Sequence, residues 1–285
     1  MIAQNFEYSA PTNLKEALGM LAAENAKALA GGMSLIPAMK LRLSAPEQLV
    51  DLGRIAELNY IREDGGTLRI GATTTHYQVE SSPLVRSKCP LLAEGAGHIG
   101  DIQVRNMGTI GGSVAHADPA ADYPASLLAL EAKIVLVSAK SQREMPIAEF
   151  FVDTFTTALE PGEIVRELVV PIEEQSTGTS YQKMLQPASG FAIVGIAARV
   201  RKSGGKIAMA RVGVTGLSGK PYRAANVEKA LEGMAGTPAD IQKAAAVVAD
   251  GVDANSDLHA SAKYRAHLAS IYTGRALTVA LSRTA

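Results

Sequence analysis

The chain has 285 residues, 47% hydrophobic and 20% charged, which is enough apolar material to bury a core and excludes a disordered protein. Its 28 lysines and arginines balance 28 aspartates and glutamates, so electrostatics gives no reason to expect nucleic acid or an anionic membrane as the main partner. The single cysteine, Cys89, excludes an intrachain disulfide and a cluster held by four cysteines, so any iron–sulfur centre in the system belongs on another chain.

In chain order, Asn13 followed by Glu16 reads as a helix cap, and Leu14, Ala17, Leu18, Leu21 and Ala22 form one apolar stripe. Ala26–Ala30 is a short strand running into Gly31-Gly32, and Leu49–Leu52 is another. Tyr60–Glu63 and Thr67–Ile70 flank Asp64-Gly65-Gly66 as a hairpin. Thr75–Ser81 and Leu91–Ala96 read as helices. Asp101–Gly108 shows no convincing helix start, and Met107–Asp122 is a glycine-rich stretch. Pro124–Leu130 is helical, with Asp122 or Tyr123 at its cap, and Lys133–Val137 and Ile164–Val170 are strands. Pro171–Thr179 is polar and reads as a linker. Beyond it come two strands, Phe191–Arg201 and Ile207–Leu217, then three helices: Ala224–Gly233, Pro238–Asp250 capped by Thr237, and a last one whose face is marked by Tyr264, Leu268, Ile271 and Tyr272. No repeat at a solenoid period is present.

Three glycine clusters compete as ligand sites. Gly95-Ala96-Gly97-His98-Ile99-Gly100 fits G-x-G-x-x-G literally, but that motif binds dinucleotides only between a strand and a helix, and here Leu91–Glu94 reads as helical. A helix terminus followed by a loop is the expectation. Ala30-Gly31-Gly32-Met33-Ser34-Leu35 and Thr109-Ile110-Gly111-Gly112-Ser113 are different. Paired glycines let the backbone approach a ligand and turn successive N–H groups onto its oxygens, and a neighbouring hydroxyl adds a donor. One such pair commonly marks a tight turn. Two, in successive α/β segments, define a candidate phosphate or nucleotide site between two subdomains. Asp118 and Asp122 follow, as acceptors for sugar or polyol hydroxyls or as turn and N-cap residues. His116 has no second ligand at metal spacing.

Ala30–Ser34, Gln103-Val104-Arg105-Asn106-Met107-Gly108-Thr109-Ile110-Gly111-Gly112-Ser113 and Ala117-Asp118-Pro119-Ala120-Ala121-Asp122-Tyr123-Pro124 together resemble the FAD-binding medium subunits of the CO dehydrogenase and xanthine dehydrogenase family, the molybdenum hydroxylases. The likeness extends to Leu35–Leu43, Ile70–His76 and the C-terminal Tyr264-Arg265 and Gly274–Leu277. It implies an α+β, vanillyl-alcohol-oxidase-type FAD-binding fold of two α/β lobes plus a C-terminal domain of a small sheet and helices, over residues 1–57, 58–175 and 179–285. It also implies non-covalent FAD held by Ala28, Leu29, Ala30, Gly31, Gly32, Met33, Ser34 and Leu35 on one side and Thr109, Ile110, Gly111, Gly112 and Ser113 on the other. Asp122 matches the family's aspartate on the polyol chain; Ile99, Ile164 and Lys183 match positions near the ring or adenine, with Phe191 over the flavin. A cation at Lys183 suits a reduced, anionic flavin; a solvated lysine on a strand is the alternative. Ser113 stands where many relatives have Asn and is similar to the CO dehydrogenase-type members. The absence of a cysteine-rich insertion excludes the benzoyl-CoA-reductase-type relatives.

The function implied is electron transfer: FAD takes electrons from 2Fe–2S clusters on a small partner subunit and passes them to an external acceptor, while substrate is oxidised at the molybdenum cofactor of a large partner subunit, with two copies of each chain. No apolar run of about 18 residues and no signal-like pattern in Met1–Glu7 appear, so the expected location is the cytoplasm, or the inner membrane face through the complex. Rival readings are a self-contained FAD-dependent reductase of the same fold and a cofactor-free scaffold.

Overall fold

The computed structural model describes residues 2–284. It begins with strand β1 (Glu7–Ser9), helix α1 (Leu14–Leu21), β2 (Ala26–Leu29), α2 (Leu35–Lys40) and β3 (Gln48–Asp51). The three strands form a parallel sheet in the order β1-β3-β2. The α1 stripe Leu14, Ala17, Leu18 and Leu21 is buried as its spacing requires, and the Asn13 side chain accepts from the Glu16 N–H at 2.9 Å. This lobe packs through Val50, Leu52, Ile55 and Leu58 onto Val137 and Ile164 of the next.

The second lobe opens with the hairpin β4 (Ile61–Asp64) and β5 (Thr67–Gly71), turned by Gly65 and Gly66, both at positive φ. Six short helices follow: α3 (His76–Ser81), α4 (Pro83–Lys88), α5 (Pro90–Gly97), α6 (Ile102–Met107), α7 (Ile110–His116) and α8 (Asp122–Ala129). Then come β6 (Lys133–Val137), β7 (Gln142–Pro146), the single turn α9 (Ile147–Phe150), the small pair β8 (Phe151–Asp153) and β9 (Thr156–Thr157), and β10 (Ile164–Pro171). An antiparallel sheet, β4-β5-β10-β6-β7, lies under these helices around a core that includes Ile70, Leu91, Leu92, Ile110, Tyr123 and Leu127.

The remaining segment forms an antiparallel sheet, β11 (Thr177–Leu185), β12 (Ala192–Ser203), β13 (Lys206–Thr215) and β14 (Tyr222–Arg223), with helices α10 (Ala225–Leu231), α11 (Pro238–Ala246) and α12 (Ala262–Ser282). Its two faces alternate with the two-residue period of a strand. Ile196, Ala198, Val200, Val212 and Val214 share a core with Leu268, Ala276 and Leu277 of α12. The opposite face carries Gly195, Ala197 and Gly213, which leave a shallow trough for α8. A Cβ on Gly213 would lie 2.0 Å from the Ala125 carbonyl oxygen, so only glycine permits this approach. The segment between β10 and β11 is not a free linker: Glu173 accepts from Arg199 Nε at 2.8 Å, both side chains buried.

Three sequence expectations change here. Asp101–Gly108 does contain a helix, α6, capped by the Asp101 carboxylate on the Val104 N–H at 2.8 Å. Thr109–Ser113 is the first turn of α7, capped by Thr109 on the Gly112 N–H, and not a loop. On α12 the buried face runs through Arg265, Leu268, Ala269, Thr273, Ala276 and Leu277, whereas Tyr264 and Ile271 are exposed.

Candidate functional site

The two glycine pairs come together. A Cβ on Gly31 would lie 2.1 Å from the Met107 carbonyl oxygen, and one on Gly112 would lie 3.9 Å from Ala30 Cβ. The turn leaving β2 is therefore pressed against the α6–α7 junction, and Gly31 is required by that contact. Gly32 has φ +72°, which turns the chain into α2, and its carbonyl accepts from the Ile36 N–H at 3.0 Å.

The two turns differ in what they can offer. Among the described residues, the backbone N–H groups of Gly31, Gly32, Met33 and Ser34 donate to no acceptor in the chain. On the α7 side, Ile110 N–H donates to the Thr74 carbonyl at 3.0 Å, Gly111 N–H to the Ala72 carbonyl at 2.9 Å, and Gly112 N–H to Thr109 Oγ1 at 3.1 Å. Free N–H donors are thus found on the Gly31–Ser34 side, whereas Ile110, Gly111 and Gly112 already have acceptors. Gly111 serves close packing, since its Cβ would meet Ala72 Cβ at 2.4 Å. The α7 turn contributes the partly exposed Ser113 and the exposed backbone at Gly112.

Beneath this junction lies His76. Its backbone N–H donates to the Gly108 carbonyl at 2.9 Å, its imidazole fills the space a Cβ on Gly108 would need, and its ring meets Tyr123 at a tilt of 59° with centroids 5.3 Å apart. Burial, assisted by the positive Arg105, lowers its pKa to about 4, so it is neutral near pH 7.

A second group of side chains gathers at the end of α5, around His98. Lys183 on β11 places Nζ 2.8 Å from Asp122 Oδ1 and 3.0 Å from Oδ2, and donates to the His98 carbonyl at 2.7 Å. Both side chains are almost fully buried, which rules out the solvated-lysine reading. Tyr181 Oη donates to the same Asp122 Oδ1 at 2.5 Å. Burial pushes the Asp122 carboxyl up to about 6, against the downward pull of Lys183 and Tyr181. Arg105, in the last turn of α6, donates to the Ile99 carbonyl at 3.1 Å and pairs with Glu80 of α3 at 2.9 Å.

The other sequence candidates fall into place around these groups. Ile99 is half-buried between α5 and α6, Ala28, Ala30 and Leu35 are half-buried, and Met33 is exposed. Leu29, Ile110 and Ile164 have core side chains and can present only backbone to a ligand. Asp118 Oδ1 accepts from the Ala120 N–H at 2.8 Å, the turn role, and sets up the start of α8. Gly95-x-Gly97-x-x-Gly100 joins helix to helix, which lacks the strand a dinucleotide motif needs. Sequence reading missed Tyr181; the available signal was its place two residues from Lys183, on the same face of one strand. Among the described residues no group of three or more His, Cys, Asp or Glu is arranged to hold a metal ion.

The arrangement thus has a row of free N–H donors beside the α6–α7 junction, suited to phosphate oxygens, and a buried cation–carboxylate pair beside the His98 carbonyl. Residues 4–173 match the family described as the FAD binding domain in molybdopterin dehydrogenase, and residues 179–280 the CO dehydrogenase flavoprotein C-terminal domain. The chain is 41% identical to the carbon monoxide dehydrogenase medium chain of Hydrogenophaga pseudoflava, over 100% of both chains. It is 36% identical to the glyceraldehyde dehydrogenase medium chain of Sulfolobus acidocaldarius, over 97% of this chain and 98% of that one. Its fold superposes with a TM-score of 0.97 on a solved carbon monoxide dehydrogenase from Hydrogenophaga pseudoflava that lacks the Mo-pyranopterin moiety of its cofactor, at 42% identity over 100% of both chains.

Proposed function

From the premise that this chain belongs to the family of FAD-binding medium subunits of the molybdenum hydroxylases, we propose that it binds FAD and relays electrons between a partner's 2Fe–2S clusters and an external acceptor. The observation that carries this reading is the presence of two features in one chain: the free N–H row of Gly31–Ser34, against the α6–α7 junction, and the buried Lys183–Asp122 pair. The bound flavin supplies the redox chemistry.

The chain's own residues bind and orient. Gly31, Gly32, Met33 and Ser34 present N–H donors to pyrophosphate oxygens, with Ala30 and Leu35 flanking the turn; Thr109, Gly112 and Ser113 wall the opposite side. The Asp122 carboxylate accepts from polyol hydroxyls while fixed by Tyr181 and Lys183. The Lys183 ammonium favours negative charge at the ring, with Ile99 and Phe191 as apolar neighbours, and backbone of Ala28, Leu29, Ile110 and Ile164 and the Asp118 turn complete the wall. We further propose boundaries at 1–57, 58–175 and 179–285, a complex with a large molybdenum subunit and a small 2Fe–2S subunit in two copies each, and a cytoplasmic location. No helix among the described residues is long and apolar enough to cross a membrane. Relatives named for carbon monoxide and for glyceraldehyde carry medium chains this similar, so substrate choice is assigned to the large partner.

Mixing the chain, loaded with FAD, anaerobically with a pre-reduced 2Fe–2S partner subunit tests the relay. Loss of the flavin's visible absorption only when the partner is present supports it. Multiple turnover with NADPH by the isolated chain would instead support a self-contained reductase.

A further inference from the structure

Tyr181 is fully buried, and its hydroxyl reaches Asp122 only because the neighbouring strand carries no side chain at that point. Lys183 pairs with Gly195 in the β11–β12 register, and Gly195 with Thr215 across β12–β13. A Cβ on Gly195 would lie 2.4 Å from Tyr181 Oη and 2.7 Å from Thr215 Cγ2. A glycine in mid-strand weakens a sheet, so its presence here marks a place where another group must pass. Thr215 Oγ1 lies 2.8 Å from the Pro119 carbonyl oxygen and 2.7 Å from that of Ala121, which pins the start of α8 to the same spot. The Asp122 carboxylate is thus held by Tyr181 and Lys183 from β11 across the Gly195 gap in β12, while Thr215 of β13 fixes the backbone just before it at Pro119 and Ala121.

Resting on the FAD reading above, we propose that Tyr181 is a positioning residue that tunes the flavin: its hydroxyl, admitted by Gly195, occupies one side of Asp122 Oδ1 and so limits how far that carboxylate neutralises Lys183. Tyr181 donates a hydrogen bond to the carboxylate and withdraws charge from it. Without that bond the carboxylate holds the ammonium more fully, the field of Lys183 at the ring weakens, and the reduced anionic flavin is less favoured.

The test is the flavin midpoint potential in the FAD-loaded complex, for wild type, Tyr181→Phe, Gly195→Ala and Lys183→Met. Tyr181→Phe keeps the ring and removes only the hydroxyl. It is expected to disfavour reduction by about three- to tenfold, tenfold being ~30 mV for a two-electron couple. Gly195→Ala retains the hydroxyl but displaces it, and is expected to lower the potential in the same direction, with no further shift when combined with Tyr181→Phe. A purely structural tyrosine would lower the melting temperature and leave the potential in place; that result overturns the proposal even if Gly195→Ala fails to fold. If Lys183→Met shifts the potential and Tyr181→Phe does not, the proposal alone fails. If the wild-type complex holds no flavin, or Lys183→Met leaves its potential unchanged, the underlying placement of the cofactor fails with it.

Discussion

Lys183 and Asp122, 61 residues apart, form a buried ion pair at 2.8 Å in which the ammonium also donates to the His98 carbonyl. The pair joins β11 of the C-terminal sheet to the first residue of α8. Lys183→Met should leave an unpaired buried carboxylate and destabilise the protein by ~3–5 kcal/mol, whereas Lys183→Met with Asp122→Asn should cost clearly less than the two singles summed. Denaturant titrations of the four proteins check this. The pH dependence of the single variant has a fixed sign. Asp122 already titrates at about 6, above its ordinary value, through burial, and loss of Lys183 raises it further. A folded-state pKa above the unfolded one gives stability that is present at low pH and lost as pH rises through the folded value, so Lys183→Met should be most damaging above pH 6.

That pair also shows where sequence reading stops. Asp122 and Lys183 were each nameable from a family resemblance, and the α1 stripe, the Gly65-Gly66 hairpin and the Thr237 cap followed from local periodicity and turn chemistry, because each is settled by residues within a few positions. Their contact is settled by the docking of α8 on a trough of Gly195, Ala197 and Gly213, which no local pattern displays. The errors have the same origin. Helices α6 and α7 have six and seven residues, too short for a periodic stripe, and α7 starts where Ala72 and Thr74 carbonyls take its first N–H groups. The face of α12 departs from its aromatic and aliphatic markers because it buries Arg265, whose guanidinium donates to the Ile193 and Gly216 carbonyls, along with alanines, and leaves Tyr264 outside.

Gly31→Ala places a methyl 2.1 Å from a backbone oxygen that cannot swing aside. Forced overpacking of this kind costs ~1–3 kcal/mol, and here the strain falls on the turn that presents the free N–H row. FAD affinity should drop about 10- to 100-fold, with a smaller effect for Gly112→Ala, whose nearest neighbour is a side-chain hydroxyl, that of Thr109, at 2.8 Å rather than backbone. FAD retained after gel filtration separates the two variants.

His76 gives a second pH dependence of opposite sign. Burial lowers its folded pKa to about 4, below the unfolded 6.5, so the unfolded chain takes up a proton first and stability falls as pH drops from 6.5 towards 4. The contribution between pH 7 and pH 5 is about 2 kcal/mol. His76→Gln, whose side chain does not titrate, should lose stability less steeply over that interval; unfolding free energies at the two pH values measure the difference.

FAD titration of the chain together with its partner subunits, followed by flavin fluorescence quenching, tests the placement of the cofactor most directly. One FAD per chain in the wild type, with affinity reduced by both Gly31→Ala and Lys183→Met, is the predicted result, since Gly31 belongs to the turn with the free N–H row and Lys183 to the buried ion pair. A folded complex that binds no FAD, or binds it equally tightly in both variants, would contradict the account.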